Sequence, residues 1–340
     1  MTKTVNLALQ GGGAHGAFTW GALDRILDEP DIDIEAITAT SAGAMNAAML
    51  VTGLARGGRA GAKKLLEEFW TKIVESAAGP QSPFSMFALE PHPELLRSFY
   101  ENSPAYLWGE WITKTFSPYQ LNPLNVNPLR ELLEELIDFD EVGSMNWPTL
   151  FVNATNVQKG KPHIFRGDEI TVDALLASAC LPHLFQAVEI DGENYWDGGY
   201  MGNPAIYPLI YGAETRDVVI VHINPIVRDE LPINPHEISN RINELSFNAS
   251  LIREMRAVSF VQRLIDDGVI EEGRWKRLRI HSVRDDETMQ SLGVATKLTP
   301  DWTILKRLRS AGNAAMDRWI ADHKDKIGVS DSIDIRDEFL

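Results

Sequence analysis

Residues 5–16 read VNLALQGGGAHG: a short apolar run that stops on three successive glycines. Five apolar-rich residues closed by glycine are the pattern of a buried strand ending in a tight turn. From Ala14 to Leu27 the apolar residues Phe18, Ala22 and Ile26 recur at helical spacing. Ile34 to Thr38 is a second apolar run, and the alanine-rich stretch Ala42 to Leu54 predicts a second helix buried on several sides. The chain therefore opens as strand, turn, helix, strand, turn, helix. That alternation predicts an α/β fold built on a parallel, doubly wound sheet.

Outward from this opening, Gly, Ala and Arg crowd residues 53–62, and Lys63 to Glu75 predicts a further helix. Residues 79–125 change character, with prolines recurring among aromatics that include Trp108 and Trp111. This stretch is expected to be an irregular insertion. It would act either as a lid and interfacial contact surface or as a core-packing excursion. Pro128 to Phe139 carries a leucine stripe of helical period, and Leu150 to Asn156 pairs with His163 to Arg166 through a Lys159-Gly160 turn. Val172 to Cys180 is helical up to Pro182, Tyr195-Trp196 leads into Asp197-Gly198-Gly199, and Val218 to Ile223 is another buried strand. Long helices are expected from about His236 to Ile265 and Asp301 to His323, with a strand near Leu278 to Val283. The elements interleave throughout, so residues 1–340 are expected to form one domain, with C-terminal helices from about 236.

Composition narrows the function. The formal net charge is −16, which opposes contact with nucleic acid and with strongly anionic surfaces. No run of Lys and Arg relieves it. The one cysteine, Cys180, fits a reducing compartment. The glycines fall where a signal peptide needs its apolar core, and no stretch approaches a membrane span. A cytoplasmic protein, at most peripheral to a membrane, is expected.

Two turns can carry chemistry. Gln10-Gly11-Gly12-Gly13-Ala14-His15-Gly16 contains G-x-G-x-x-G, but a dinucleotide site needs an acid at the end of the second strand, and Glu35 comes before the apolar pair Ala36-Ile37 instead. Glycines here can instead aim backbone N–H groups at an oxyanion beside a helix N-terminus. Ala39-Thr40-Ser41-Ala42-Gly43 differs from the nucleophile elbow G-x-S-x-G only at Ala39. Alone, Ser41 serves equally well as a helix cap. None of the histidines compels as its base: His222 and His281 fall in probable strands, and His183 has no evident acid. Asp197 is better placed, although an Asp-Gly turn is by itself commonly structural.

Taken in order, Gly11–Gly16, Ala39–Gly43 and Asp197-Gly198-Gly199 resemble the patatin-like phospholipase family, as do Asn153-Ala154-Thr155-Asn156 and Ala177 to Pro182. The resemblance spans about residues 5–54 and 128–225. It implies a three-layer α/β/α fold with a mostly parallel central sheet. It also implies a serine acyl hydrolase acting on lipid or other acyl esters, with transient contact to a membrane or micelle, no nucleic acid partner and no cofactor or metal. Ser41 would be the nucleophile and Asp197 its direct base. Gly11, Gly12 and Gly13 would form the oxyanion loop, with the N–H groups of Gly12 and Gly13 as donors. The alternatives are a nucleotide-binding protein using residues 11–16 and a non-catalytic lipid-binding member of the fold. Ala39, Gln10 and His15 depart from the common pattern. His15 stands where Arg or Lys is frequent, and it is expected to touch substrate.

Overall fold

The structure, a computed structural model, describes residues 2–77, 115–144, 147–271, 275–298 and 300–340. Most of the aromatic segment expected at 79–125, including Trp108 and Trp111, lies outside the described residues. The opening follows the predicted alternation: strand β1 (Lys3–Leu9), helix α1 (Ala17–Ile26), strand β2 (Ile32–Thr40) and helix α2 (Ala42–Ala77). The two helices expected across 42–75 are both there within α2, separated by a kink at Gly57 and Gly58, where φ is −156° and +61°. Then come α3 (Pro128–Leu136), β3 (Thr149–Asn156), β4 (Lys161–Arg166), α4 (Val172–Ser178), β5 (Val188–Ile190) and β6 (Glu193–Asp197). The chain finishes with α5 (Tyr207–Gly212), β7 (Asp217–Val221), α6 (Pro235–Asp266), β8 (Arg279–Val283), α7 (Trp302–His323) and α8 (Ile335–Phe339).

The sheet runs β5-β6-β3-β2-β1-β7-β8, with β4 on the free edge of β3. Strands β3, β2, β1, β7 and β8 are parallel, while β4 and β6 pair antiparallel with β3, and β5 pairs antiparallel with β6. Helices cover both faces, which is why the parallel strands are apolar at nearly every position. Leu7, Leu9, Ile37, Val219 and Val221 face one layer, packed with α1, α2 and α7. Ala8, Ala36, Val218 and Ile220 face the other, packed with α5, α6 and α8. Among the described residues no helix is long and apolar enough to cross a membrane.

Two consequences of this topology position the site. Strand β1 has β2 on one side and β7 on the other, so the chain winds outward in both directions from it. Such a reversal opens a crevice at the carboxyl ends of the strands, where the glycine turn and the serine turn both lie. The second consequence comes from β3. Its one edge takes β2 in parallel as far as Thr40 opposite Asn153, and then β6 in antiparallel from Asp197 opposite Ala154. The two strands meet tip to tip, and the residues at their tips are Ser41 and Asp197.

Candidate active site

Ser41 occupies the single residue between β2 and α2, with φ at +54°, in the left-handed region that L-residues seldom enter. Holding it there costs of order 1–3 kcal/mol and needs external support. Ser178, at the end of α4, supplies it: its hydroxyl accepts the Ser41 N–H at 2.9 Å and donates to the Asn153 carbonyl at 2.7 Å. The neighbouring Thr40 hydroxyl donates to the Gly202 carbonyl at 2.8 Å. The elbow is thus pinned by β3 and by the turn after β6, and Ser41 opens on the same cleft as Asp197.

Asp197 is buried at 1% exposure. Its main-chain N–H donates to the Cys180 carbonyl, and its carbonyl accepts from the Thr155 hydroxyl. One carboxylate oxygen accepts the Gly199 N–H at 2.7 Å. The two glycines that follow are both sterically required. A side chain at Gly198 would run into the Asn153 carbonyl, and one at Gly199 into the Phe247 ring. Burial pushes the Asp197 carboxyl up to about 6, against the pull of the Gly199 and Ser41 hydrogen bonds and of the Lys297 charge. That brings a carboxylate towards the range in which it can take a proton near neutral pH.

The glycine turn faces the same cleft. The Gly11 N–H is already spent, donating to Asn203 Oδ1 at 2.6 Å. The N–H groups of Gly12 and Gly13 meet no acceptor among the described residues. Gln10, buried beneath the turn, ties it to the end of β7: its carboxamide oxygen accepts from Ile223 and Asn224, and its amide donates to Asn203 and Asn248. His15 is not at the cleft wall. It is 2% exposed, with Nε2 at 2.7 Å from the Thr296 hydroxyl, and it is absent from the residues that line this cleft. Glu35, the one acid near dinucleotide spacing, binds the Glu214 and Thr215 N–H groups and is occupied.

The cleft has Ser41, Asp197, Gly12 and Gly13 at its floor and apolar walls from Met45, Phe69, Trp70, Leu129, Phe185 and Phe247. Among the described residues no histidine lines it. His222 is buried and pushed down to about 3, hence neutral, and its ring lies beside Phe339. His281 pairs with Asp217 at 3.0 Å, and His183 is exposed. Three participants were not singled out from sequence: Ser178, Asn203 and Lys297. Lys297 reaches the cleft from the short helix Val294–Leu298, its Nζ held by Asn224 and Asn243, and burial pulls its pKa down to about 8. A serine, an acid with a raised pKa, free backbone donors and an apolar cleft together suit acyl transfer from an ester with a greasy acyl part.

The family profile described as patatin-like phospholipase matches residues 7–210. Among solved structures, the chain is similar to VipD from Legionella pneumophila, at 16% identity and a TM-score of 0.45, covering 94% of this chain and 67% of that one. It is also similar to a chain of the heterodimeric ExoU–SpcU complex from the type III secretion system of Pseudomonas aeruginosa, at 16% identity and a TM-score of 0.41. There the match covers 96% of this chain and 52% of the other, so the chain spans about half of that length. No curated protein sequence matches it.

Proposed function

The chain belongs to the patatin-like phospholipase family, and on that premise we propose that it hydrolyses carboxylic esters of lipids through a Ser41–Asp197 dyad. The observation that carries the reading is the meeting of Ser41, on a left-handed elbow, and the buried Asp197 carboxylate at the floor of one apolar cleft. Asp197 takes the hydroxyl proton as Oγ attacks the ester carbonyl. The N–H groups of Gly12 and Gly13 hold the oxyanion, which is where the oxyanion role expected of Gly11–Gly13 comes to rest. Collapse expels the alcohol, which leaves with the proton held by Asp197, and the acyl group stays on Ser41. Water then attacks the acyl-enzyme with Asp197 again as base, releasing the fatty acid and restoring Ser41. The apolar walls favour a long acyl chain over a small polar ester.

The test is covalent labelling by a fluorophosphonate together with pre-steady-state acylation. Ser41→Ala should abolish both. Asp197→Asn should lower acylation by about 10²–10⁴, the range for loss of a general base. Gly12→Ala places a methyl 2.5 Å from Cγ2 of the buried Ile223, so the turn must shift, and a melting curve verifies that the variant folds. It should nevertheless lose about 10²–10³ in kcat through misaligned donors. Full labelling of Ser41→Ala at another residue would overturn the nucleophile. A folded His→Ala variant as inert as Asp197→Asn would replace the dyad by a triad.

A further inference from the structure

Helix α6 sends Asn243 and Phe247 into the wall of the catalytic cleft. Its inner stripe, with Leu251, Met255 and Val258, packs on the sheet. Its outer side carries a second stripe of helical period. In the first half stand Ile238, Ile242 and Leu245, which are 42%, 59% and 51% exposed. After Ala249, the same line continues through Arg253, Arg256, Phe260 and Arg263, all exposed. The steps of three and four residues keep the whole stripe on one side over roughly 38 Å of helix. Leu231 and Ile233, just ahead of the helix, add two further exposed apolar side chains, 82% and 81% exposed.

The charge on this helix is sorted. Each of its four acids is engaged elsewhere: Glu237 on the Ile233 and Asn234 N–H groups, and Glu244 on Arg228 and Arg241. Glu254 takes the N–H groups of Ile206 and Tyr207, and Asp266 pairs with Arg277. Of its four arginines, Arg241 is consumed by Glu244, while Arg253, Arg256 and Arg263 pair with no carboxylate among the described residues. The outer stripe is therefore cationic and apolar with no acid in it, on a protein whose net charge is −16. The overall charge hides this local exception.

We propose that the outer face of α6 docks on an anionic lipid surface, with Ile238, Ile242 and Leu245 entering the acyl boundary and the three arginines meeting lipid phosphates. A surface of this composition matches a membrane interface in both chemistry and sign. An acidic protein partner would satisfy the arginines but leave the exposed isoleucines and leucines against a polar surface. Because α6 is also a wall of the cleft, docking brings the cleft to the lipid. The docking deepens the lipid-hydrolase reading and rests on it for its purpose.

The test uses the full chain carrying Ser41→Ala, so that hydrolysis cannot alter the vesicles, and measures co-sedimentation with two kinds of vesicle. One is pure phosphatidylcholine; the other contains three parts phosphatidylcholine to one part phosphatidylglycerol. Binding should favour the anionic vesicles and weaken with salt. Combined Arg253→Gln, Arg256→Gln and Arg263→Gln should lower binding to them by on the order of 10²-fold. Combined Ile238→Ser, Ile242→Ser and Leu245→Ser should weaken binding to both. In a Ser41 background, both sets should leave hydrolysis of a soluble short-chain ester unchanged, which verifies folding. Unaltered binding by the triple Gln protein, or no binding by the parent, overturns the assignment. So does a dimer in gel filtration that these substitutions dissolve without any vesicle binding, which would give the face to a second copy. If the Ser41 protein fails to take up fluorophosphonate, the hydrolase reading falls while the vesicle result stands.

Discussion

Asp197 is held in a conflict that pH can expose. Its carboxyl sits at about 6 in the folded chain against an ordinary 3.8, because burial disfavours the charged form. The folded state therefore binds a proton between those values that the unfolded chain has released. Stability must fall as pH rises from about 4 to 6 and stay lower above that window. Ionised Asp197 thus costs about 3 kcal/mol at neutral pH, a cost that Asp197→Asn removes. That variant should melt higher than wild type at pH 8 and no higher near pH 3, while wild-type kcat/KM should rise through an acid limb near pH 6. A melting temperature difference independent of pH would contradict the burial argument. The same residues mark what sequence could and could not disclose. Ser41, Asp197 and the glycines are legible only as three turns taken in order, since alone the serine turn reads equally as a helix cap and the Asp-Gly turn as structural. Ser178, Asn203 and Lys297 carry no such local mark. Their roles come from contacts between residues distant in sequence, 192 apart for Gly11 and Asn203 and 73 apart for Lys297 and Asn224. For His15 the position in the loop is legible, but its Thr296 partner, 281 residues away, is not.

At the scale of elements, the strands with long apolar runs and the helices with clear periodicity are where the sequence expects them, within a few residues. The short strand β5 and the short helices α5 and α8 are not, because a handful of residues carries too little period to separate from a loop. Their form is imposed by the neighbours they pack against. The closest helix pair is likewise a tertiary fact. Gly21 of α1 and Gly312 of α7 let the two backbones touch: a methyl on the first would strike the Arg309 carbonyl, and on the second the Phe18 carbonyl. Beside them Arg309 lies over the Trp20 ring at 4.1 Å and reaches Asp24 at 2.6 Å. Backbone cannot yield as a side-chain tip can, so Gly312→Ala should force the helices apart. The expected loss is about 1–3 kcal/mol, read as a fall in Tm of roughly 2–10 °C. Fluorophosphonate labelling at room temperature should persist, since the pair lies behind the sheet's core layer and outside the cleft. A Gly312→Ala protein as stable as wild type would show that the contact is not under load.

For the molecule as a whole, the family profile ends at residue 210, yet the core does not. Strand β7, adjacent to β1 in the middle of the sheet, and α7, packed on α1, both come from beyond that point. We therefore propose that residues 1–340 melt as one domain. A single calorimetric transition is expected, and two resolved transitions would divide the chain. The same dispersal has a consequence in time. Ser41 is made first, Asp197, its proposed base, later, and Lys297, which lines the cleft and holds Asn224, later still. At about 5–20 residues per second, roughly 10–50 s separate Ser41 from Lys297 on the ribosome. Throughout that interval the serine has a turn but no finished site. On the proposed dyad, a nascent chain carries Ser41 without its base, and ester hydrolysis begins only once the segments that hold Asp197 and Lys297 have been made.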